Sequence, residues 1–142
     1  MNNHIFIIGM MGSGKSTIAP LLSEKLKIPY IDIDQDLEEI LNCNIADIFK
    51  QYSEERFRIL ESRYFLEHIK NSPSIYSTGG GIVLDKQNRN ALKKIGITVF
   101  LKASIQTLYN RINNDTKKRP LLKNKPLLEK LLNQRNQYYI DC

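Results

Sequence analysis

Two cysteines, two histidines and no long apolar run mark what this 142-residue chain lacks. Cys43 and Cys142 are 99 positions apart and form no CxxC pair, so neither a disulfide framework nor a thiolate metal site is expected. His4 and His68 stand alone, which excludes a His/Cys cluster of the zinc kind. The apolar start, residues 5–8, is broken at Gly9 and is too short for a signal-peptide core or a membrane span. No other stretch approaches that length; a cytoplasmic protein with no membrane partner is expected. Charge of one sign is also not concentrated. The formal net charge is +6, yet the basic residues are dispersed, and Lys117-Lys118-Arg119 is the single tight run. No aromatics interleave with them, so nucleic-acid binding is not expected, and a small anionic substrate accounts for the sign equally well.

What is present reads as one domain, 1–142, of ordinary globular composition. Short apolar runs alternate with helical periodicities. Strands are expected at 4–8, 29–33, 74–77 and 98–101, the last apolar on both faces as in a buried parallel sheet. Helices are expected at 16–26, 45–52, 53–70, 85–95, 105–113 and 126–139, with Pro20 an unexplained interruption of the first. Alternation of this kind gives an α/β fold, a parallel sheet with helices on both faces.

One motif settles the chemistry class. Gly9-Met10-Met11-Gly12-Ser13-Gly14-Lys15-Ser16 matches G-x-x-x-x-G-K-S between a strand and a helix. A chance match in a chain this long has a frequency of roughly one in two hundred, from average residue usage. Its glycines let backbone N–H groups curl toward phosphate oxygens, and the helix start adds its dipole. Lys15 reaches the β- and γ-phosphates of ATP, and the Ser16 hydroxyl serves Mg2+. No Asn/Thr-Lys-x-Asp guanine signature accompanies it.

The acceptor-side signals are weaker singly. Asp32 and Asp34 share a face if both lie at the end of the second strand, where ligands of open α/β sheets bind; such a pair also reads as a turn or a cap. Asp36, Glu38 and Glu39 fit a helix start and its solvated face. Arg58 and Glu61, three apart on a helix, meet, which by spacing alone suits a surface ion pair. Thr78-Gly79-Gly80-Gly81 after a strand implies close approach of a ligand to backbone. Arg119-Pro120-Leu121-Leu122 places an arginine in a basic loop.

Together these segments resemble the shikimate kinases. The residues carrying the likeness are the phosphate loop 9–16, Asp32-Ile33-Asp34, Ile45-Ala46-Asp47-Ile48-Phe49, Phe57-Arg58 with Glu61, Ser77 to Gly81, Arg119 to Leu122, and Arg135 followed by Tyr138 or Tyr139. They keep family order from residue 5 onward. The resemblance implies a P-loop NTPase architecture of the nucleoside-monophosphate-kinase type, with substrate-binding helices over about 33–62 and a lid over about 112–125. It implies MgATP-dependent phosphorylation of the 3-hydroxyl of shikimate on the route to chorismate, by a monomer. By position, Gly12, Ser13, Gly14, Lys15, Ser16 and Thr17 would bind ATP, Arg111 would stack on adenine, and Arg119 would close on the phosphates. Ser16 and Asp32 would serve Mg2+. Lys15, Asp34 and Arg119 would be catalytic, Asp34 as base or orienter. Asp34, Arg58, Arg135 and the backbone of Gly79, Gly80 and Gly81 would hold shikimate, with Glu61 aiming Arg58 and Phe49 and Phe57 walling the ring.

Family members usually continue through another strand and a closing helix. The expectation is therefore a longer expressed protein, or one with an uncovered edge at Val99 and Leu101. Rival readings are a gluconate-type kinase, which has no need of paired arginines, and a non-catalytic nucleotide sensor, which gains little from Asp34 and Arg119.

Overall fold

The first strand, β1 (His4–Ile8), is buried along its whole length, and its alternating side chains serve two cores. Ile5 and Ile7 join Ala19, Leu22 and Leu26 of helix α1 (Lys15–Leu26) on one face of the sheet. Phe6 and Ile8 join the larger cluster on the other face, with Ile33, Leu37, Ile48, Phe57, Phe65, Tyr76 and Tyr139. This is the strand period of two put to work in a sheet covered on both sides. The computed structural model describes residues 3–114 and 124–142.

The further elements are β2 (Tyr30–Asp32), α2 (Ile33–Leu41), α3 (Ile45–Tyr52), α4 (Glu54–His68), β3 (Ile75–Ser77), α5 (Lys86–Ile95), β4 (Gly96–Phe100), α6 (Ile105–Asn113) and α7 (Lys125–Asp141). A 3₁₀ turn, Ile82–Leu84, follows the glycine run and is unforeseen in the sequence pattern. The four strands are parallel in the order β2-β3-β1-β4. The α/β architecture with helices on both faces is as expected.

Two local expectations fail. Asp34 does not follow Asp32 along a strand. Asp32 ends β2 and its carboxylate accepts from the Gln35 N–H, capping α2, so Asp34 sits in the helix's first turn. A capping aspartate stops the strand one residue earlier than apolar Ile33 suggests. The last strand, read from its apolar run as covered on both faces, has Ile97 47% and Val99 38% exposed, and it lies at the sheet edge among the described residues, as the uncovered-edge reading expected.

Candidate active site

The strand ends set the site. Register pairs Asp32 with Ser77 and Ser77 with Ile7, so the phosphate loop after β1, the glycine run after β3 and the start of α2 all emerge at the carboxyl edge of the sheet. Thr78 fixes the glycine run there, its N–H and its hydroxyl both donating to the Ile7 carbonyl at 3.2 and 3.0 Å.

The phosphate loop is wound as its motif demands. Gly14 caps α1 at φ 102°, a conformation that turns the first helical N–H groups toward an anion and that a side chain would resist. Lys15 is buried and folds back over the loop, donating to the carbonyls of Gly9 and Met10 at 2.8 and 2.9 Å. The Thr17 N–H donates to the Gly14 carbonyl in the first turn. The Ser13 hydroxyl is buried without a hydrogen-bond partner. Ser16 Oγ donates to Asp32 Oδ2 at 3.2 Å, which gathers a hydroxyl and a carboxylate beside the loop; such hard oxygen donors suit Mg2+. Arg111 reaches across from α6, its Nη1 donating to the carbonyls of Gly12 and Ser13 at 3.2 and 3.3 Å. Arg119 lies outside the described residues, as does most of the expected lid.

Around the glycine run the packing is close enough to require glycine at 79 and 81 and leaves ordinary contact distances at 80. A Cβ at Gly79 would stand 2.6 Å from Glu61 Oε1 and 2.8 Å from Asp34 Oδ1. One at Gly80 would stand 3.4 Å from Arg135 Nη1, and one at Gly81 would fall inside the Arg58 guanidinium. The three residues therefore form a bare backbone shelf onto which Asp34 from α2, Arg58 and Glu61 from α4, and Arg135 from α7 converge. Ser53, at a left-handed φ of 78°, links α3 to α4 and caps the latter. That sharp turn brings Phe49 edge-on to Phe57, ring centroids 5.1 Å apart, with the Arg58 guanidinium 5.9 and 5.3 Å from the two rings.

The electrostatics of the shelf are strained. Arg58 Nη1 is 2.8 Å from Glu61 Oε2, a pair whose carboxylate is 1% exposed, and Nη2 is 3.4 Å from the more exposed Glu54. Burial pushes the Glu61 carboxyl up to about 7; Arg58 pulls it down, and Asp34 adds to the rise. For Arg58, burial works against the charge, but Glu61 and Glu54 outweigh it and the net shift is upward. Arg135 is 4% exposed, and its Nη1 has no hydrogen-bond partner; nor have Arg58 Nε and Glu61 Oε1. A buried guanidinium nitrogen without an acceptor costs free energy until a ligand oxygen meets it. Two such cations flanking three bare peptides have the charge and the donors that suit a carboxylate.

The sequence left Tyr138 and Tyr139 as alternatives. Tyr139 is the buried one, and its hydroxyl donates to the Gly80 carbonyl, whereas Tyr138 is exposed with its ring under Arg89. Spacing would have separated them, since Tyr139 is four residues from Arg135 and shares its helix face. Sequence reasoning also missed Tyr30, whose hydroxyl donates to Asp32 Oδ2 at 3.4 Å; its place two residues before Asp32 on one strand was the available signal.

Comparison with known proteins matches residues 11–142 to the shikimate kinase family model. A curated shikimate kinase of Rhizobium meliloti is 37% identical over 98% of this chain and 73% of its own length. The solved shikimate kinase of Acinetobacter baumannii in complex with shikimate superposes with a TM-score of 0.92 at 31% identity, over 99% of this chain and 80% of that one. A gluconokinase from Sinorhizobium meliloti superposes with a TM-score of 0.62 at 19% identity, over 93% of this chain and 74% of that one, a likeness of fold alone.

Proposed function

This chain belongs to the shikimate kinase family and is an ATP-dependent kinase that phosphorylates shikimate, and we propose that the residues around the 79–81 shelf divide that work as follows. Arg58 and Arg135 hold the acceptor's carboxylate, with Glu61 fixing the Arg58 fork and Phe49 and Phe57 bounding the ring. The peptides of Gly79, Gly80 and Gly81 lie along the acceptor, as their lack of side chains permits. Asp34 orients the 3-hydroxyl and takes its proton. Lys15 exchanges the Gly9 and Met10 carbonyls for phosphate oxygens, and the loop N–H groups from Gly12, Ser13, Gly14, Ser16 and Thr17 complete the cradle. Arg111 serves the adenine side and Arg119 the transferring phosphoryl group.

Ser16 and Asp32 would hold Mg2+, whose positive charge at the phosphates is the chemistry it supplies. A monomer is the working unit in this reading. Among the described residues no helix is long and apolar enough to cross a membrane.

The observation that carries the assignment is the pair of guanidiniums at the shelf, each with a buried nitrogen that has no hydrogen-bond partner. ADP release measured with shikimate, with gluconate and with no acceptor tests it. Release dependent on shikimate alone is expected; equal rates with gluconate would reject the paired-arginine reading.

A further inference from the structure

The donor loop and the acceptor shelf touch each other directly, and one side chain fastens both. A Cβ at Gly80 would lie 3.5 Å from the Met11 N and 3.6 Å from the Gly9 carbonyl oxygen, ordinary van der Waals contact, so the shelf lies next to the phosphate loop. Tyr139 closes this junction from α7. Its ring stacks on Phe100 of β4, centroids 5.1 Å apart, and its hydroxyl reaches both Met10 Sδ, at 3.6 Å, and the Gly80 carbonyl. Arg135 stands one helical turn earlier on the same face of α7. The phenol is 1% exposed. Burial pushes it up to about 12, with Arg135 drawing it the other way, so it remains a hydrogen-bond donor at physiological pH.

Because the Gly80 carbonyl and the Gly81 N–H belong to one planar peptide, a donor fixed on the first sets the direction of the second. Arg135 Nη1, beside Gly80 and buried without a hydrogen-bond partner, is left for the acceptor. We propose that Tyr139 is a positioning residue that bolts the acceptor shelf to the phosphate loop, setting the Gly80–Gly81 peptide and the Arg135 fork against the bound donor. It touches no reacting atom. Loss of its hydroxyl would loosen acceptor binding and the mutual influence of the two substrates, and would leave the nucleotide cradle intact.

The proposal rests on shikimate being the acceptor. A wild-type protein inert toward shikimate would remove that reading, whereas an active wild type with a silent Tyr139 variant removes only this one. Tyr139→Phe deletes one oxygen and keeps the stack on Phe100; Phe100→Leu keeps the hydroxyl and removes the stacked ring. Kinetics and calorimetric shikimate binding, with and without ADP, are compared with thermal midpoints. For Tyr139→Phe the KM for shikimate should rise roughly tenfold, as for a buried carbonyl left unpaired. Its KM for ATP should stay within about twofold, and the change in shikimate affinity caused by ADP should shrink. Phe100→Leu should lower the thermal midpoint while both KM values stay near wild type. A Tyr139→Phe protein whose two KM values move together, or whose shikimate KM and ADP effect match wild type, overturns the proposal. So does one that fails to fold, because the hydroxyl would then be a general stabiliser.

Discussion

The phosphate loop and the glycine shelf lie side by side, yet they are built on opposite principles. The loop is contiguous backbone. Its eight residues carry their own geometry, and Lys15 already has carbonyl partners within the same loop. The shelf is an assembly, with Asp34, Arg58, Glu61 and Arg135 brought from three helices onto three peptides, and Arg58 Nε, Glu61 Oε1 and Arg135 Nη1 are buried there without hydrogen-bond partners. A loop that satisfies its own lysine, with the neutral Ser13 hydroxyl alone left over, can bind a nucleoside triphosphate and remain stable without one. A shelf that carries unpaired buried charge recovers that cost only with a ligand of matching charge and shape, and so it selects the acceptor. Generality belongs to the donor side and specificity to the acceptor side.

The variants that break the comparison hardest are those at the transferring group, where both halves meet. Arg119→Ala should lower kcat by about 10³-fold or more, the range for an arginine that stabilises phosphoryl-transfer charge, with little change in shikimate affinity. A change under about tenfold in single-turnover rate would remove Arg119 from that role. Asp34→Asn keeps the shape beside Gly79 and loses the proton acceptor. Its kcat should fall by roughly 10²–10⁴, with the nucleotide dissociation constant nearly unchanged; full activity would show that Asp34 neither orients the hydroxyl nor accepts its proton.

Smaller effects sharpen the contrast within the shelf. Arg58→Lys replaces a fork by a point charge and should raise the KM for shikimate about tenfold while the KM for ATP holds. Equal increases in both constants would mean that the two halves are not separable. Glu61 gives a pH signature. Its carboxyl, raised by burial to about 7 despite the pull of Arg58, binds a proton in the fold at pH values where the unfolded chain has released it. The contribution of that group is therefore present in full below about pH 4.5 and is lost as pH climbs through 7. Thermal midpoints of the ligand-free protein should show wild type losing ground to Glu61→Gln across that window. Parallel midpoint curves for the two proteins would contradict the shift.

How much of this could be read in the chain follows the same division. The loop was legible because its chemistry is contiguous, and the α/β alternation because Ile5, Ile7 and Phe6, Ile8 already display the two-faced strand. The shelf was legible only as a resemblance, since no spacing tells that Arg58 and Arg135 end beside adjacent glycines. Where local rules were applied to it they slipped. Asp32 capping α2 moved Asp34 from strand to helix, so strand alternation did not apply. The apolar run of β4 promised cover on both faces; edge position is a property of the whole sheet, and the resemblance to the family, not the strand itself, pointed to the open edge at Val99. Tyr139 was distinguishable from Tyr138 only by its helical phase with Arg135.

The most direct test of the division between general donor and selective acceptor is calorimetric binding of shikimate and of its uncharged methyl ester to the wild-type protein, with ATP analogue affinity measured in parallel. Esterification should weaken binding by about 100-fold or more, as expected when a buried and a half-buried guanidinium lose their ionic partner, while the nucleotide analogue binds as before. Ester and acid binding alike would contradict that division.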